Sequence, residues 1–157
     1  MYIATLVGLM LIFPVASIAL EVLIHSHGTL DLAIVGKWFV FWAVGVRLLI
    51  AGLRQIVQPR YTAETLLGVK DPDAVLIVRE LGFANTAIGS AGLGSIFLTA
   101  WTLPLAAIGA IFYALAGINH VTHKQRGKLQ NAAMISDFFA AAILLTICFA
   151  AKPPWLS

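Results

Sequence analysis

The chain has 157 residues, of which 61% are hydrophobic and 11% charged, and its formal net charge is +3. Soluble globular domains carry about a quarter charged residues, so this composition excludes a soluble globule and points to one all-α domain immersed in a bilayer. A spanning β-barrel is excluded too, because its strands alternate apolar and polar residues over about ten positions, whereas Phe138 to Leu145 is apolar throughout. The positive charge does not indicate nucleic acid: the cations sit beside apolar stretches rather than in a basic run interleaved with aromatics.

Five stretches, about 2–24, 30–56, 72–98, 103–121 and 131–151, each approach the roughly 20 mostly apolar residues with which an α-helix crosses a ~30 Å hydrocarbon layer. The sequence therefore predicts an integral membrane helical bundle of five transmembrane helices. The first stretch has no Lys or Arg before it, is longer than a signal-peptide core and meets Glu21 near its far end, so it is read as a retained span. Glu21 and His25 lie one turn apart, with His27 following, and carboxylate and imidazole are common zinc or copper ligands. A plain ion pair of Glu21 with Lys37 accounts for the same residues, and no metal site is predicted.

The second stretch carries Arg47, nine residues before Ile56. At ~1.5 Å per residue it sits about 10 Å or more from the inner boundary. A lone charge at that depth costs several kcal/mol, so intramembrane ionisable residues normally face the bundle and pair. Pro59 ends this helix, and Thr62 caps a short interfacial helix near 62–67 that Gly68 stops. Asp71-Pro72-Asp73 then supplies an N-cap, a proline at the first helical position and an acid in the first turn of the third helix.

Gly82, Thr86, Ser90 and Gly94 recur every four residues in the third helix, and Ala106, Ala110 and Ala114 do so in the fourth. Such rows of small residues let helix backbones approach closely. Two acids are placed to meet Arg47, Glu80 first and Asp137 second. An inner-half polar cluster of Arg47, Arg79, Glu80, Asn85, Asn119, His120 and Asp137 is therefore expected, either fixing helix register or forming a site. His25 and His27 lie a membrane thickness from His120 and His123, so they do not form a two-histidine haem site. Cys148 is the only cysteine, which leaves no disulfide or Cys-x-x-Cys pair within the chain, and no nucleotide-binding loop or nucleophile elbow is present.

With five crossings, Arg54, Arg60, Lys70, Lys124, Arg126 and Lys128 share one side, and Lys37 and Lys152 fall toward the other. The positive-inside rule then puts the N-terminus in the cytoplasm and the C-terminus outside. The aromatics agree: Trp38, Trp42, Trp101 and Trp155 fall toward the outer end, and Tyr2 and Tyr61 toward the inner one.

Three runs carry a resemblance. They are Val46-Arg47-Leu48 with Gly52-Leu53-Arg54-Gln55 and Gln58-Pro59-Arg60-Tyr61-Thr62, then Val78-Arg79-Glu80-Leu81-Gly82-Phe83-Ala84-Asn85, then Ala116-Gly117-Ile118-Asn119-His120 with Ser136-Asp137. Across residues 40–140 the chain resembles a family of small prokaryotic integral membrane proteins defined by a domain of unknown function. More distantly it is similar to the DoxX-like four-helix proteins, from which it differs by an additional helix and the lack of a cysteine pair. The resemblance implies a helical inner-membrane fold, and the distant one a link to quinone-dependent redox complexes; the residues themselves predict no cofactor, and a quinone enters only through that distant resemblance.

The expected function is that of a multi-pass inner-membrane protein, not an enzyme, whose polar cluster organises the bundle or binds a small or lipid-like ligand. The alternatives are an accessory subunit of a quinone-linked membrane oxidoreductase and a small transporter. The expected partners are the lipid bilayer and either further copies of the chain or a membrane complex, and no nucleic acid.

Overall fold

The computed structural model describes residues 2–24, 28–122 and 127–150. His25, His27, His123, Lys124, Arg126, Lys152, Trp155 and the side chain of Tyr2 lie outside this description.

All regular structure among the described residues is helical. Five long helices follow one another: α1 (Ile3–Ile24), α2 (Leu32–Val57), α3 (Pro72–Gly94), α4 (Thr102–Thr122) and α5 (Lys128–Ala150). A wide turn at Tyr61–Leu66 links α2 to α3, and a single tight turn at Thr99–Trp101 leads into α4. Four segments are long and apolar enough to cross a membrane: α1, α2, α5, and α4 with its leading turn, Thr99–Thr122. α3 is not among them, because Arg79, Glu80 and its Gly, Asn and Ser residues dilute its apolar ones.

Local chemistry sets the boundaries. Asp31 caps α2 by accepting from the Ala33 amide at 3.3 Å, and Asp71 caps α3 by accepting from the Asp73 amide at 2.9 Å with Pro72 next in the chain. α2 stops at Val57 because Gln58 precedes Pro59 and is pushed out of the helical region, to φ −130° and ψ 57°. Gly68, at φ 71°, adopts the left-handed conformation that ends the wide turn.

α2 and α3 lie antiparallel with their backbones in direct approach. A Cβ on Gly89 would stand 2.4 Å from the Leu49 nitrogen, one on Gly92 2.6 Å from the Gly45 Cα, and one on Gly52 2.6 Å from the Thr86 nitrogen. The face of α3 that is buried is Val78, Gly82, Asn85, Gly89 and Gly92. Of the expected row, Gly82 belongs to this face and Thr86, half-buried, abuts Gly52 of α2, whereas Ser90 is exposed and Gly94 is partly buried. A strict four-residue spacing drifts around the helix by about 40° per step, whereas alternating steps of three and four stay on one face. α4 behaves alike, burying Leu105, Ala106, Gly109, Ala110, Tyr113 and Gly117 and leaving Ala114 half-buried.

The core lies where α2, α4 and α5 converge, around Val40, Val44, Ala106, Ala110, Tyr113, Ala140 and Leu144, with Met10 of α1 closing one side. Two π-helical stretches interrupt the long helices there, Gly8–Ile12 in α1 and Val40–Val46 in α2, and they touch each other. Such stretches shift the backbone ladder by one residue and often accompany functional positions. Arg47 follows the second one directly.

Candidate functional site

The Arg47 guanidinium reaches from α2 to α5, where Nη2 donates to Asp137 Oδ1 at 2.6 Å and to Ser136 Oγ at 3.1 Å. The pair is sheltered, with the two side chains 12% and 6% exposed. Ser136 can accept because its own hydroxyl donates back to the Ala133 carbonyl at 2.7 Å. The guanidinium carbon lies 4.6 Å from the centre of the Tyr113 ring, and Nη1 lies 3.6 Å from the Met10 sulfur. Tyr113 is itself fixed, because its hydroxyl donates to the carbonyl of Ala43 within the π-helical stretch. Arg47 is thus held by a carboxylate and a hydroxyl from α5, an aromatic face from α4 and a sulfur from α1. His120 of α4 sits on the far side of the acid, Nε2 3.7 Å from Asp137 Oδ2.

This cluster borders a cavity of about 350 Å³, within the range of small-molecule sites. Its polar lining is Thr5, Arg47, Arg54, Gln55, Tyr61, Thr62, Asn85, Tyr113, His120 and Asp137; Leu6, Leu9, Leu48, Ile50, Leu81 and Phe112 supply apolar walls. At one edge the Arg54 guanidinium stacks 3.9 Å from the centre of the Tyr61 ring. Asn85, only 3% exposed, donates from Nδ2 to Gln55 Oε1 at 2.8 Å, but its Oδ1 has no hydrogen-bond partner. A buried amide oxygen in that state costs free energy on the order of 1–3 kcal/mol.

Of the seven residues expected in the cluster, the structure brings Arg47, His120 and Asp137 into one contact set and lines the same cavity with Asn85. The other three lie elsewhere. Arg79 and Glu80 are both exposed, Arg79 on the flank of α3 next to the buried Val78. Glu80 is two residues from the buried Gly82, which at 100° per residue places it near the opposite face. The carboxylate on Arg47 is therefore Asp137, and the expectation that Glu80 comes first is corrected. Asn119 is exposed and does not line the cavity.

The expected cluster leaves out Met10, Tyr113, Ser136, Gln55 and the Arg54–Tyr61 stack. Tyr113 carries a hydroxyl at mid-span, where it must find an acceptor, and that is the available signal. Gln55 is a second polar group on α2, two turns from Arg47.

At the other end of the bundle, Glu21 accepts from Lys37 Nζ and from Trp38 Nε1, each at 2.5 Å, and Trp42 Nε1 donates to Ser17 at 2.9 Å. Among the described residues no group of three or more His, Cys, Asp or Glu side chains is placed to hold a metal ion. No family model, curated protein or solved structure matches this chain.

Proposed function

We propose that this chain is a five-span inner-membrane protein, not an enzyme, whose inner-half cavity binds a small amphiphilic or lipid-like ligand. The fifth span is α3. It runs antiparallel to α2 in continuous register, Gly82 beside Gln55, Gly89 beside Leu49 and Gly92 beside Gly45, so it shares the depth of a helix that is itself of membrane length. Continuing that register puts Arg79 and Glu80 level with the end of α2, at the head-group boundary, where exposed charge is inexpensive. With five crossings the connections carrying Arg60, Lys70 and Lys128 lie on one side, which the positive-inside rule makes cytoplasmic.

The observation that carries the ligand reading is the cavity itself, in which a neutralised ion pair, a histidine, an arginine and an orphaned amide oxygen meet apolar walls. A purely structural lock of helix register would need the Arg47–Asp137 pair but not the cavity beside it. Ala116→Trp tests this. Ala116 lines the cavity, so the larger ring should fill the space and abolish ligand retention, measured by native mass spectrometry of the purified protein, with assembly intact. Equal retention by parent and variant would refute the reading.

A further inference from the structure

Among the groups that face the cavity without a hydrogen-bond partner among the described residues, two are chemically opposite, Asn85 Oδ1 and the Arg54 guanidinium. Asn85 Oδ1 is a buried acceptor without a donor. Arg54 carries a full positive charge, held by the Tyr61 ring, with no acceptor for its N–H groups. Arg47 contributes little net charge because Asp137 neutralises it at 2.6 Å. The polar complement of this site is therefore a negative group for Arg54 beside a hydrogen-bond donor for Asn85, and Gln55 joins the two: it follows Arg54 in the chain and is hydrogen-bonded to Asn85.

Resting on the cavity reading above, we propose that the ligand is an anionic amphiphile whose head group carries a hydroxyl or amine donor next to its negative charge, with its chain along the apolar wall. Arg54 sits in the last turn of α2 and is exposed, which places the charge near the head-group region. Asn85 lies deeper, opposite Gln55 and close to Gly52 in the helix register. Leu81 and Ile50 are both exposed, and they line the cavity on the side of α3 and α2, so an acyl chain has an apolar exit toward lipid.

Full-length protein in detergent would be titrated with dioleoyl probes of identical chain: phosphatidylglycerol (anionic, donor present), phosphatidylmethanol (anionic, no donor) and diacylglycerol (donor, no charge). Free glycerol 3-phosphate tests whether the head alone suffices. Phosphatidylglycerol should bind one-to-one and about tenfold more tightly than either other lipid, the scale of one lost hydrogen bond to a charged or buried group, and glycerol 3-phosphate should not saturate. Asn85→Ala should erase the preference over phosphatidylmethanol, and Arg54→Gln the preference over diacylglycerol. Equal affinities for the three lipids in the parent protein overturn the proposal without needing any variant to fold. If that equal binding is still blocked by Ala116→Trp, the cavity remains a lipid site with a different selectivity. Binding that Ala116→Trp leaves untouched removes the cavity reading as well, and glycerol 3-phosphate binding as tightly as the lipid would overturn the amphiphile assignment.

Discussion

Arg47 and Asp137 stand 90 positions apart in the chain and meet at 2.6 Å inside the bundle, tying α2 to α5. Separating them leaves a charge in a site that is only 12% open on one side chain and 6% on the other. Breaking a buried pair by removing one member is typically worse than removing both, at about 3–5 kcal/mol. Asp137→Leu or Arg47→Met alone should therefore destabilise the purified protein strongly, while Arg47→Met with Asp137→Leu should lose less than the sum of the two. The coupling energy from thermal or denaturant unfolding in micelles should exceed ~0.5 kcal/mol, the limit for independent sites. Glu80→Gln, on the exposed side of α3, should stay within about 0.5 kcal/mol of the parent.

The α2–α3 contact gives a sharper test, because the crowded atoms are backbone. Gly89→Ala puts a methyl group 2.4 Å from the Leu49 nitrogen, and Gly92→Ala puts one 2.6 Å from the Gly45 Cα. Neither neighbour can rotate away as a side chain tip would. The usual gain of up to ~1 kcal/mol from replacing a helical glycine with alanine should be outweighed by overpacking strain of about 1–3 kcal/mol. Ser90→Leu, on the exposed face, should leave the melting temperature unchanged. A Ser90→Leu protein as damaged as Gly89→Ala would mean that the outer side of α3 is also packed.

Length, apolarity and capping residues make the helices legible in the sequence: Asp71-Pro72 opens α3 and Pro59 follows the end of α2, as the chemistry of those residues requires. The site is legible only in part. Arg47 announces itself, because a cation in an apolar run needs a partner. Which acid answers it depends on helix rotation. α3 has apolar or small residues on most of its circumference, so periodicity does not say that Gly82 and Asn85 face inward and Glu80 outward. Tyr113 is hidden for another reason: its acceptor is a backbone carbonyl in a π-helical stretch, and nothing in the residues Val40–Val46 distinguishes that stretch from ordinary helix.

Tyr113→Phe isolates one link of this arrangement. The ring stays beneath Arg47, 4.6 Å from its guanidinium carbon, but the hydroxyl that reaches the Ala43 carbonyl is gone. The expected cost is about 1–3 kcal/mol, because the carbonyl loses that donor in a buried place. Tyr113→Leu should cost more, since it removes the aromatic face from the cation as well. Equal melting temperatures for the Phe and Leu variants would show that the stack contributes nothing.

Topology decides between four and five crossings, and three positions suffice to read it. Lys70 lies between α2 and α3, Phe97 between α3 and α4, and Gly127 between α4 and α5. Single cysteines at each, in a Cys148→Ala background, report their side through an impermeant thiol reagent. Phe97 is 86% exposed, and a Cβ at Gly127 meets nothing within 4 Å, so both substitutions are sterically mild. If α3 crosses the bilayer alongside α2, position 97 should label from outside intact cells, whereas 70 and 127 should label only after the membrane is opened. If α3 instead stays on one side, positions 70 and 97 must label together, because no crossing separates them. That result would overturn the fifth span, and with it the argument that the register along Gly45, Leu49 and Gln55 carries α3 to the depth of α2.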